Sequence, residues 1–280
     1  MDWLTEYKLP IGDGAEAVVD WLTLNGAWFF DGLAAGLETM IDGMLWVLQF
    51  PPPVVLIALV VVAAWFAKRS AWFCLFVAAG LLLIVNQGYW EETAETLALV
   101  LASAVVCMGV GVPIGIAAAR RPWLFTAIRP ILDLMQTIPT FVYLIPALVL
   151  FGLGMVPGLI ATVIFAIPAP IRLTHLGISS TPTSLIEAGR AFGATKWQLL
   201  VKVELPYAMP QIMAGLTQTI MLSLSMVVIA ALVGADGLGV PTLRALNQVN
   251  ISRGFEVGVA IVLIAIILDR LFRVERESDR

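Results

Sequence analysis

Charge, histidine and cysteine are what this sequence has least of. Only 13% of its 280 residues are Asp, Glu, Lys or Arg, about half the share of a soluble domain. Apolar residues reach 60% and the mean hydropathy is +0.95, so the chain reads as a membrane protein. Its 16 basic and 20 acidic residues give a net charge of −4, which argues against nucleic acid as a partner. Cys74 and Cys107 both sit in apolar runs. They offer no metal spacing and no disulfide framework, and read as packing residues. His175, the single histidine, has no partner cluster and reads as an interface residue rather than a proton relay. No metal site is expected. The chain has no G-x-x-x-x-G-K-[ST] and therefore no phosphate-binding loop of its own.

What the sequence has in quantity is long apolar runs. A helix needs roughly 20 apolar residues to cross a bilayer, and seven segments are candidates, at about 51–67, 71–88, 96–119, 131–152, 155–174, 208–234 and 255–272. The first two are short; with Lys68 and Arg69 between them, two crossings are preferred to a hairpin that leaves charge in lipid. The division is then an extracytoplasmic segment 1–50, a membrane domain 51–273 and a cytoplasmic tail 274–280. The fold class is all-α membrane protein. Short cytoplasmic loops retain Lys and Arg. An outside N-terminus and an inside C-terminus leave only Lys8, Arg244 and Arg253 of the 16 basic residues outside.

In the first fifty residues, Leu33, Leu37, Met40, Ile41, Met44 and Leu48 recur at helical spacing, with Asp31, Glu38 and Asp42 on the other side. This predicts an amphipathic helix on the outer membrane surface, the alternative being a helix packed on another part of the protein. Pro51, Pro52 and Pro53 end it. The nine Trp lie mostly near expected interfaces and read as an aromatic belt.

Residues 175–207 form a polar loop. Ser184 with Glu187, and Thr195 with Gln198, have capping-box spacing. Two short helices are predicted, about 184–192 and 195–202, with Gly193 in a left-handed turn between them and Pro206 as a stop. In the fourth segment, Gln136, Thr137, Thr140 and Tyr143 fall on one side of a helix interrupted by Pro139 and Pro146. They read either as the lining of a path or as polar contacts between helices. Thr217, Gln218, Met221 and Ser225 are a second candidate lining. Asp133 with Arg129, and Asp269 with Arg273, are spaced as local ion pairs.

The string EAGRAFGATKWQLLVKVELP, Glu187 to Pro206, resembles the EAA loop of ABC importer permeases. Glu187, Ala188, Gly193, Leu205 and Pro206 match that pattern at its spacing, with Gly189 in place of the usual Ala and Val203 in place of the usual Ile. DLMQTIPTFVYLIPALVLFG at 133–152, GADGLG at 234–239, AIILDR at 265–270 and the acidic N-terminal helix are similar to the glycine betaine, proline betaine and choline branch, within which the chain most resembles the choline type. The resemblance implies a type I importer permease fold. It implies an ATPase subunit that uses ATP and Mg and is coupled through this loop, an extracytoplasmic substrate-binding protein, a second copy of this chain and surrounding membrane lipid. No cofactor is expected on the chain itself, and no covalent chemistry. Small residues at 188, 189 and 191 would let the loop approach its ATPase closely, and residues 234–248 are the expected meeting point with the binding protein. Permeases for another solute such as an amino acid, and an ion-coupled secondary transporter, are the competing readings. The second would require ionisable groups in mid-span, and the charges cluster at segment ends.

Overall fold

The computed structural model describes residues 10–273. The acidic Asp2 and Glu6, Lys8, and the expected tail 274–280 lie outside the described residues. The described chain is helical almost throughout: α1 (Ile11–Gln49), α2 (Pro53–Lys68), α3 (Ala71–Asn86), α4 (Trp90–Arg120), α5 (Pro122–Thr137), α6 (Thr140–Phe151), α7 (Met155–Ala166), α8 (Pro168–Ser179), α9 (Thr183–Ala191), α10 (Lys196–Leu199), α11 (Leu205–Ala230), α12 (Gly239–Asn247) and α13 (Ile251–Phe272).

The seven expected segments all fall on helices, but not all in the expected form. Among the described residues, four runs are long and apolar enough to cross a membrane alone: 90–120, 155–179, 196–233 and 251–272. Two more qualify only as bent pairs, α1 with α2 at 97° and α5 with α6 at 95°. With 16 residues each, α2 and α3 are about 24 Å long, short of the roughly 30 Å hydrocarbon core. Arg69 ends α2 in a left-handed turn, φ 47°, and Ser70 caps α3 by accepting from the Phe73 amide. Helix α3 is held from inside the fold, where Val77, Leu81 and Ile84 pack with Val257, Ala260 and Ile264 of α13.

The N-terminal helix is longer than predicted. Its C-terminal half is packed rather than laid on a surface: Ile41 is 1% exposed, and with Leu37, Met40, Met44 and Leu45 it covers Leu99, Ala102, Leu159 and Ala230. For that half the packed alternative is the correct one. The other half projects Trp21, Leu24 and Trp28 outward together with Asp13, Glu16 and Asp20.

At the centre, α8 lies between α4 and α11. Close approach is possible because glycines stand where the helices cross. A Cβ on Gly111 would lie 2.9 Å from the Pro170 ring, one on Gly115 2.7 Å from the Ile171 carbonyl, and one on Gly215 3.2 Å from Pro170 Cα. Small residues at crossings are what membrane helices need in order to pack closely by dispersion alone. The GADGLG segment closes one end of this core. Gly234 (φ 86°) and Gly237 (φ 119°) take left-handed turns, and the Leu238 amide donates to Thr96 Oγ1 at 2.9 Å.

Candidate functional site: the inter-span loop and its helical lever

The loop folds as a helix-turn-helix. Helix α9 ends in a Schellman turn, with Ala194 N–H donating to the Gly189 carbonyl at 3.0 Å and Gly193 N–H to that of Arg190 at 2.9 Å. Gly193 has φ 77° and open space around it, so the turn demands glycine for its backbone and not for room. Thr195 then starts α10 with the expected capping box. Its side chain accepts from the Gln198 amide at 3.3 Å, and its own amide donates to Gln198 Oε1 at 2.8 Å.

Three expectations for this loop need correction. Ser184 does not cap α9; Pro182 occupies that position and no side-chain cap forms. Pro182 already supplies an extended backbone, φ −57° and ψ 134°, so the cap position lies two residues earlier than expected. Pro206 does not stop the second helix. A π-turn over Leu200–Glu204 widens the backbone just before it, and widening relieves the clash of the proline ring with the preceding turn. Residues 196–233 are therefore one continuous helical run. Finally, Gly189 faces the loop's own second helix rather than outward: a Cβ there would sit 2.6 Å from Leu199 Cδ2, and Leu199 is buried.

Glu187 and Ala188 are exposed on the outer side of α9. On the same loop Phe192 is 93% exposed and Trp197 69%. Both aromatics stand on the loop itself, Phe192 immediately before the Gly193 turn and Trp197 just after it. The signal for both was an aromatic residue flanking the glycine turn. Val203 and Leu205 are half-buried, and Leu205 packs with Ile178, Leu200, Ala208 and Ile212 at the foot of α11.

The fourth segment departs from a single polar stripe. The chain breaks between Thr137 and Thr140, where Pro139 is extended with ψ 131°, so Gln136 and Thr137 end α5 while Thr140 and Tyr143 begin α6. The four do not share a helix face. Pro146 lies within α6 and does not break it. Gln136 Oε1 accepts from Arg172 Nη1 at 3.0 Å, a contact between helices. Tyr143 packs beside Leu144, Ala161 and Met226, and its hydroxyl is buried without a protein partner. Thr137 is exposed and Thr140 half-buried.

On α11, by contrast, Gln218, Met221 and Ser225 are all exposed, at i, i+3 and i+7, one open face of a central helix; Thr217 stands at its half-buried edge, its hydroxyl donating to the Ala214 carbonyl at 3.1 Å.

Neither expected local ion pair forms among the described residues. Asp133 Oδ1 pairs with Arg172 of α8 at 2.6 Å, not with Arg129, and among the described residues no pair joins Asp269 to Arg273. The competing partner won because α5 lies against α8, where His175 also stacks on Phe125 with ring centroids 3.7 Å apart. Arg172→Ala is expected to loosen α5. The pair is substantially exposed, so the loss is about 1 kcal/mol or less, read as a fall of about 2–4 °C in the detergent melting temperature.

Comparison with known proteins agrees with this architecture. Residues 111–274 match the family model of the binding-protein-dependent transport system inner membrane component. The chain is 48% identical over 274 residues to the glycine betaine transport system permease protein OpuAB of Bacillus subtilis, covering 97% of both chains. It is 44% identical over 266 residues to the glycine betaine/carnitine transport permease protein GbuB of Listeria monocytogenes, covering 94% of each. To the glycine betaine/proline betaine permease protein ProW of Escherichia coli it is 42% identical, covering 97% of this chain and 77% of that one. Among solved structures, an inward-facing MetNI methionine ABC transporter superposes with a TM-score of 0.59 at 27% identity, over 66% of this chain and 94% of its own. The fold is that of the type I importer permeases, in a multi-pass inner-membrane protein. The chain belongs to the family of inner-membrane components of binding-protein-dependent transport systems, the ABC importer permeases.

Proposed function

We propose that this chain is the membrane-spanning subunit of an ATP-driven importer of quaternary ammonium compounds, glycine betaine foremost. The substrate class comes from relatives that match nearly the whole chain and are named for glycine betaine transport. The chain binds no cofactor; ATP and Mg belong to a partner ATPase that docks on the loop through Glu187, Ala188 and the exposed Phe192 and Trp197. An extracytoplasmic binding protein delivers substrate at the end carrying residues 234–248. The N-terminus lies outside and the C-terminus inside, as the distribution of Lys and Arg favours.

The observation that carries the mechanism is the rigid join between loop and membrane helix. Residues 196–233 form one helical run, so displacement of α10 by a closing ATPase moves α11 as a lever. Two copies of the chain form the path between them. The open face of Gln218, Met221 and Ser225 supports this, since polar groups facing lipid are costly and line cavities or partners instead. ATP binding opens the path toward the binding protein, and hydrolysis resets it inward.

The test is competition in proteoliposomes holding this chain, its ATPase and its binding protein. Uptake of labelled glycine betaine is expected to be reduced by excess unlabelled choline or proline betaine and untouched by methionine. Competition by methionine alone contradicts the substrate assignment.

A further inference from the structure

Arg120 is the last residue of α4, next to the elbow at Pro122 that opens α5. Its Nη2 donates to Glu204 Oε2 at 3.0 Å and also to the Lys196 carbonyl at 3.0 Å. These two acceptors bracket one piece of structure: Lys196 is the first residue of α10, and Glu204 closes the π-turn that joins α10 to α11. One guanidinium therefore straps both ends of the segment 196–204 to the end of α4. A charge kept only to set topology would be solvated. Here the side chains are 35% and 14% exposed, so the pair is partly withdrawn from water, where its attraction is stronger than at an open surface. A planar fork with several donors suits a carbonyl and a carboxylate held at once.

We infer that Arg120 is a positioning residue that carries displacement of the loop into α4, through its joint hold on Glu204 and the Lys196 carbonyl. The inference rests on the reading of the loop as the ATPase-docking element. Helix α4 packs along α8 and α11, and α5, which follows Arg120, is tied to α8 by Arg172. Motion entering at α10 thus reaches two sides of the bundle, along α11 by helical continuity and along α4 through Arg120.

The experiment uses the complete complex in vesicles, with glycine betaine as probe, and measures uptake and ATP hydrolysis together. Arg120→Gln and Glu204→Gln are each expected to lower the uptake obtained per ATP by roughly tenfold, a usual size for coupling between sites, while hydrolysis continues. A loss of fold would lower both rates together. Arg120→Glu and Glu204→Arg should each fail in the same way and the double variant recover most of the ratio, since it restores an opposite-charge pair. An unchanged ratio in Arg120→Gln, or a double variant no better than its parents, overturns the inference while wild-type uptake and the effect of Gly193 variants stand. Loss of those two results would overturn the reading of the loop itself, and the inference with it.

Discussion

Gly193→Val is expected to cut glycine betaine uptake by on the order of tenfold, Gly193→Ala by less, and Gly193→Asn least of all. The turn between α9 and α10 holds this residue at φ 77° with nothing within 4 Å of the position a Cβ would occupy. Size is therefore irrelevant and only backbone preference acts. A β-branched residue is a genuine outlier in the left-handed region, whereas Asn enters it readily. A strained residue of this kind costs of order 1–3 kcal/mol, enough for the turn to open and release the two Schellman hydrogen bonds to Gly189 and Arg190. The membrane core lies elsewhere, so the melting temperature should barely change while uptake per ATP falls. The check is the ranking of the three variants in the vesicle assay. Equal activity in all three would mean that the turn is not maintained when the ATPase is docked.

Gly115→Ala should have the opposite signature: loss of fold rather than loss of coupling. A Cβ there would stand 2.7 Å from the Ile171 carbonyl and 2.7 Å from Thr174 Cβ, and neither is the free end of a flexible side chain. Helix α8 would have to move away from α4, and overpacking of this kind costs about 1–3 kcal/mol. Gly109, on the same helix, has open space around its Cβ position. Gly109→Ala is therefore the matched control and is expected to melt as the parent does. Detergent melting curves of the two variants decide the point, and coincident curves would contradict the close crossing of α4 and α8.

The same contrast between local and distant causes explains what could be read in the sequence. Gly193 and the Thr195–Gln198 capping box were legible because each is specified within four residues. So was the existence of the apolar helices, which depends on composition alone. The partner of Asp133 was not legible, since Arg129 at helical spacing competes with Arg172, and only the packing of α5 on α8 brings the latter within 2.6 Å. The break at Pro139 was legible in the proline itself, but the size of the bend, 95°, was not, and a stripe counted at helical spacing does not survive it. Pro206 was misread as a stop because a π-turn can absorb a proline, and that widening leaves no mark in hydropathy. The anchoring by Arg120 was not legible either, because its acceptors lie 76 and 84 residues further along the chain. The packing of Ile41 likewise depends on helices α4 and α7, which are remote from it in sequence.

This chain is expected to move a quaternary ammonium solute only when a separate ATPase drives its loop. The most direct measurement is uptake of labelled glycine betaine into proteoliposomes containing this chain and its binding protein, with ATP enclosed, in the presence and absence of the ATPase subunit. Accumulation is expected with the ATPase, and none without it or with ATP replaced by a non-hydrolysable analogue. Equal accumulation without the ATPase, or accumulation that follows an imposed ion gradient instead of ATP, would contradict that expectation.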